Sequence, residues 1–267
     1  MSWRLFVQTL RWQRVRLAVV LVAAIGWGIL MPILYGQFSE VIRDMANSGA
    51  IPEEFLNVGS GSLFTLPGTI TLGLQHPLAL AMVGFFAVGA SSTAIAGERL
   101  RGTLEVLLAR PLSRSALYWS ILLALLVAVM LVLIAILAGM VGGSAIAGLA
   151  DELDLGQMPI VVLNGFGLWA AFTTFGLAAS VTFDRPGPAI GLSLGWLLVH
   201  YFLEILGSLW TDAAWTQEYS LIHHFNPGEI LTGALDPIDL VVVFGAALVP
   251  LLYALVVFPR RDLAAPA

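Results

Sequence analysis

Two ionisable residues four apart, His200 and Glu204, share one face of an apolar stretch. Within a membrane span such groups are costly, and they are functional candidates by default: a substrate path or gate, or a proton site. The alternative is a hydrogen-bonded pair that snorkels to the outer surface. His200 would lie about 20 Å from the start of its stretch, in the outer half, with Glu204 further out. His223 and His224 are adjacent, with Glu229 nearby, which is not the His-Glu-x-x-His zinc pattern; adjacent histidines point in different directions on a helix. The chain has no cysteine, which excludes disulfides and thiolate metal sites. All twelve basic residues are arginine, so no Gly-Lys-Ser/Thr phosphate loop can be built. The densest charge lies in residues 98–114, with Glu98, Arg99, Arg101, Glu105, Arg110 and Arg114 between two apolar runs.

The elements that must position these residues are membrane spans. The chain is 59% hydrophobic and 11% charged, where soluble domains carry about 25% charge. Six stretches reach the roughly 20 apolar residues a bilayer crossing needs: 17–35, 78–97, 116–147, 159–183, 188–209 and 240–258. The third, at about 48 Å, is too long for a perpendicular crossing and must tilt, bend or project. The cluster Gly139, Gly142 and Gly143 marks a bend or close-packing site on it, with Gly139 and Gly143 four apart, and Gly187, Gly191 and Gly195 repeat every four residues on the fifth. Each set packs either within the chain or against a second copy.

Arginine placement sets sidedness. Eleven of the twelve arginines precede the first span, follow the sixth, or lie in alternate loops; Arg43 alone falls on the other side. The acids do the reverse: thirteen of seventeen lie away from the arginine side. The expectation is an all-α integral membrane protein with six transmembrane helices, both termini cytoplasmic, forming a single domain over residues 1–267. In a bacterium this is the cytoplasmic membrane. Residues 2–16, with Trp3, Phe6, Leu10 and Trp12 among four arginines, are expected as an in-plane interfacial helix; an extension of the first span is the alternative. Residues 37–77 and 210–239 are expected as outer loops, the first with a short helix over 38–46 and Gly59-Ser60-Gly61 and Pro67-Gly68 punctuation. Residues 221–231 are expected as a short re-entrant or interfacial helix packed on protein. Asp184-Arg185-Pro186 is a tight turn on the arginine side.

In the charged segment, helical spacing groups Leu104, Leu107 and Leu108, with Arg101 and Glu105 four apart. The expected product is one short helix with an apolar stripe. Pro111 ends it, Thr103 caps it, and Ser113 caps the third span. Such a helix can seat its leucines in a partner's groove, with the charges on the rim.

The run Glu98, Gly102-Thr103-Leu104-Glu105, Leu107-Leu108, Pro111, Ser113-Arg114 resembles the cytoplasmic signature of type-2 ABC transporter permeases. The six-span layout, the interfacial helix and His224-Phe225-Asn226-Pro227 before the last span extend the resemblance over most of the chain; the long first outer loop departs from the minimal plan. The resemblance implies the non-enzymatic permease subunit of an ATP-driven exporter. It further implies pairing with a second copy or a paralogue and docking to two cytoplasmic ATPase subunits, which hold ATP and Mg. The chain itself would carry no cofactor or metal. Residues 98–114 would be the coupling segment, with Glu98, Arg99, Arg101, Gly102, Thr103, Leu104, Glu105, Leu107, Leu108 and Arg114 as the contact set. Membrane lipid is the other expected partner, and nucleic acid is not expected. The alternative function is an ion- or proton-coupled secondary transporter using His200 and Glu204, against which no inverted repeat with paired broken helices is evident.

Overall fold

The computed structural model describes residues 1–49, 57–58, 61–62, 64–109 and 112–261. Arg110, Pro111 and Asp262, and with them the expected stop at Pro111, lie outside the described residues, as do Gly59 and Ser60 of the outer-loop punctuation. Among the described residues, five helices are long and apolar enough to cross a membrane, and a bent pair counted as one span makes six. They are α1 (Trp3–Asn47), the pair α2 (Leu66–Gln75) and α3 (Pro77–Thr93), α6 (Arg114–Ile146), α7 (Met158–Thr182), α8 (Pro186–Leu209) and α10 (Pro237–Arg260). Two short helices, α4 (Ala96–Leu100) and α5 (Thr103–Leu108), link α3 to α6, and α9 (Pro227–Leu231) precedes α10. Residues Asn57–Val58 and Gly61–Ser62 form a minimal antiparallel pair.

Helix α1 corrects the expected in-plane helix. Residues 2–16 are not a separate element: one uninterrupted helix of 45 residues runs from Trp3 to Asn47, about 68 Å at 1.5 Å per residue. Its first turn is fastened to the start of α6, where the Ser2 amide donates to Ser120 Oγ at 2.8 Å. Further along, a Cβ on Gly28, Gly139 or Gly143 would collide with the backbone of the facing helix, at Ile136, Ile25 and Ile29 respectively. Glycine at these positions lets the two backbones touch. Contacts from Ser2–Ser120 to Gly36–Ala147 keep one order along both helices, so α1 and α6 run parallel. The Gly139/Gly143 pair therefore packs within the chain. The fifth-span glycines do not: a Cβ on Gly187, Gly191 or Gly195 meets nothing within 4 Å.

The second correction concerns the first outer loop. Residues 66–75 form a helix whose residues are almost all buried, Leu66, Ile70 and Leu74 among them. Thr65 caps it, its hydroxyl accepting from the Gly68 amide at 3.1 Å, and Pro67 sits in its first turn, where the missing N–H costs nothing. It stops because His76, preceding Pro77, is extended. The chain then bends by 52° into α3. Trp27 Nε1 on α1 donates to the Gly73 carbonyl at 2.9 Å. Such a short buried helix is tolerated at membrane depth because protein surrounds it.

Helix α3 contains a π turn at Phe85–Ala90, after which the Ser91 and Thr93 hydroxyls bond back to the Ala87 and Gly89 carbonyls. The main core joins α1, α2, α3, α6, α7, α8, α9 and α10, and a second cluster around Leu117, Tyr118, Leu177 and Phe258 fills the end from which α1 starts.

Candidate functional site

That end of the bundle collects the arginine-bearing segments. Arg99 Nη1 lies 2.7 Å from Asp184 Oδ1 in the turn between α7 and α8, and Arg261 pairs with the same carboxylate. Arg114 Nη1 donates to the Pro259 carbonyl at 3.1 Å and the Arg261 carbonyl at 2.6 Å, neutralising acceptors at the C-terminus of α10. Arg99, Arg114, Asp184 and Arg261 are thus linked at this end by hydrogen bonds and ion pairs, and Ser2 is bonded separately to Ser120.

Residues 96–109 sit on this end as two helices around a glycine turn, not as the single helix expected. Ser180 Oγ on α7 accepts from the Ile95 and Ala96 amides at 2.9 and 3.0 Å, capping α4 from outside. Gly102 then adopts φ +70°, the left-handed conformation that ends α4 and turns the chain into α5. Thr103 is the first residue of α5 rather than its cap; its hydroxyl reaches back to the Glu98 carbonyl at 3.1 Å and to the Glu98 carboxylate. Arg101 pairs with Glu98 across three residues. Ser113 does cap α6, accepting from the Ala116 amide at 3.1 Å.

The expected contact set divides. Leu104 is 2% exposed and belongs to the chain's own core with Ile95, Leu117 and Phe258. Arg99 is buried against Asp184, and Arg114 is committed to α10. These three hold the segment in place. Leu107 is half-buried and faces a groove beside α1; the Leu108 side chain lies outside the described residues. The outward surface is made by Thr103 and Glu105 together with Leu100, 53% exposed, and Val106, 63% exposed. The stripe reading missed those last two. Their signal in the sequence is the placement of an apolar residue among charges.

The opposite end holds His200 and Glu204, 5% and 3% exposed. They do not bond to each other. Each grips the segment after α8. His200 Nδ1 accepts from the Leu221 amide at 3.0 Å, which makes Nε2 the protonated nitrogen, and Ser220 Oγ donates to the His200 carbonyl. Glu204 Oε1 accepts from Gln217 Nε2 at 3.0 Å, and Oε2 lies 3.5 Å from His223 Nδ1. That carboxylate holds His223 above the usual imidazole range, with burial opposing it and the Asp239 and Glu229 charges adding to it. Three further helices take the next residues. Asn164 of α7 donates to the His224 carbonyl, Asp239 of α10 contacts His224 Nδ1 at 2.7 Å, and Gln75 of α2 donates to the Phe225 carbonyl. Residues 220–231 therefore form a packed cap, with Leu221, Ile222, Phe225, Ile230 and Leu231 buried, and the short helix expected there is confined to Pro227–Leu231.

A family model described as "ABC-2 family transporter protein" matches residues 6–263. No curated protein sequence matches the chain.

Proposed function

The chain belongs to the ABC-2 family of transporter membrane proteins, and from that premise we propose that it is the permease subunit of an ATP-driven exporter in the bacterial cytoplasmic membrane. The family match over residues 6–263 carries the reading. The arginine-bearing end faces the cytoplasm, as the excess of arginine in its segments favours. ATP and Mg are bound by two separate ATPase subunits, since this chain has no lysine for a phosphate loop. The ATPase contacts the surface formed by Leu100, Thr103, Glu105 and Val106. Motion at that surface reaches the bundle through Leu104, the Arg99–Asp184 pair and the Ser180 cap.

Six crossings make half of a pathway, and a second copy or a paralogue supplies the rest. The face of α8 bearing Gly187, Gly191 and Gly195 beside exposed Leu194 and Leu198 is the side left open for it. The reading of His200 and Glu204 as the site of a secondary transporter is the less favoured one, because His200 Nδ1 and Glu204 Oε1 are engaged in holding the cap. The test is co-purification: the tagged chain should retain a Walker-motif ATPase from native membranes and stimulate its hydrolysis. Retention of no such subunit would refute the proposal.

A further inference from the structure

Between the first four turns of α1 and the coupling segment lies an open groove of about 600 Å³. Arg16 and Gln13 line it from α1, Arg101 and Glu98 from the opposite wall, and Leu117, Ile121 and Leu125 of α6 form an apolar floor. Two arginines against one glutamate leave the groove with one positive charge in excess. The Glu98 carboxylate is already engaged by both Arg101 and Thr103. No acid lies on the α1 side, because residues 1–39 hold four arginines and neither aspartate nor glutamate. Arg16 is also the last charge before the apolar stretch begins, which sets its guanidinium at headgroup depth. A cationic groove with an apolar wall, opening at that depth, has the chemistry of a phospholipid rather than of a soluble anion or an apolar ligand.

We infer that this groove binds a single anionic glycerophospholipid, its phosphate between Arg16 and Arg101, its glycerol backbone against Leu125 and its acyl chains leaving the groove beyond Arg16. The bound lipid bridges α1 and the coupling segment, two elements that Glu98, Arg101 and Leu107 otherwise leave separated by the groove. The leaflet assigned to this lipid, the cytoplasmic one, rests on the orientation proposed above. Binding itself is measured without any ATPase, so the two readings fail separately.

The full chain in mild detergent would be titrated with dioleoyl phosphatidylglycerol, dioleoyl phosphatidylcholine or inorganic phosphate, with retained lipid read by native mass spectrometry and stability by thermal shift. Phosphatidylglycerol should be retained in preference to phosphatidylcholine, and inorganic phosphate should neither stabilise the chain nor displace the lipid. Arg16→Gln should weaken phosphatidylglycerol retention about five-fold, the factor expected for one arginine at a membrane surface. Gln13→Glu should weaken it in the same direction, and Arg4→Gln, outside the groove, should leave it unchanged. Equal retention of the two lipids would overturn the inference, as would wild-type retention by both Arg16→Gln and Gln13→Glu. Displacement by inorganic phosphate would overturn the lipid as occupant.

Discussion

The two ends of this bundle solve opposite problems with similar residues. At the cap end, buried His200, Glu204, Asn164 and Gln75 turn inward and bond to one short segment of the same chain. At the arginine end, Arg99, Arg114 and Leu104 also turn inward, yet they support an element whose other face shows Leu100 and Val106 to the outside. The cap is closed on itself, and its polar groups are structural fasteners. Residues 96–109 are held from behind and open in front. Ionisable residues in spans are therefore not by themselves a pathway, and a charged loop is not by itself a docking site; the direction of the side chains separates the two.

The largest expected effect breaks the rear support of the coupling segment. Leu104→Asp places a carboxylate in the core beside Leu117 and Phe258. It should cost at least about 4 kcal/mol, read as loss of folded protein in a thermal-shift assay. Glu204→Ala removes the acceptor of Gln217 and the charge facing His223; the cost should be about 2 kcal/mol, appearing as faster proteolysis or exchange of residues 211–225. Gly102→Ala meets no neighbouring atom but must hold φ +70°, so about 1 kcal/mol of backbone strain is expected, detectable as weakened protection of residues 96–108 with the rest unchanged.

The smallest expected effect is a pH dependence confined to the cap. His223 is raised above its ordinary value of 6.5, so its pairing with Glu204 contributes fully below that value and is lost as pH rises through the raised one. His224, Asp239 and Glu229 surround the pair. After correction for intrinsic rates, amide protection of residues 220–226 should fall with rising pH in the wild type and not in His223→Gln. A pH-independent wild type would mean that the pair adds nothing to the cap.

Much of this was legible beforehand, for identifiable reasons. Long apolar runs gave the crossings, because hydrocarbon imposes length and composition on them. Ser113 announced its cap, and the Gly139/Gly143 spacing announced a close contact. Pro67-Gly68 reads as loop punctuation, yet a threonine two residues before a proline is also a helix start, and only Thr65 in its capping position shows which applies. The continuity of α1 was missed because arginine and tryptophan density suits an in-plane helix equally well. Leu104 was misdirected because an amphipathic stripe says that one face is covered, not by what; the covering residues, Ile95, Leu117 and Phe258, come from across the chain. Arg99–Asp184 joins residues 85 positions apart in the sequence, and no local pattern announces such a pair.

The central claim is that Leu100 and Val106 form the surface through which an ATPase drives this bundle. The most direct test is the double variant Leu100→Asp/Val106→Asp, purified with the cognate ATPase subunit. Both residues are exposed, so insertion and thermal stability should match the wild type, while ATPase retention and stimulated ATP hydrolysis should be lost. Full retention and stimulation in a stable double variant would contradict the account.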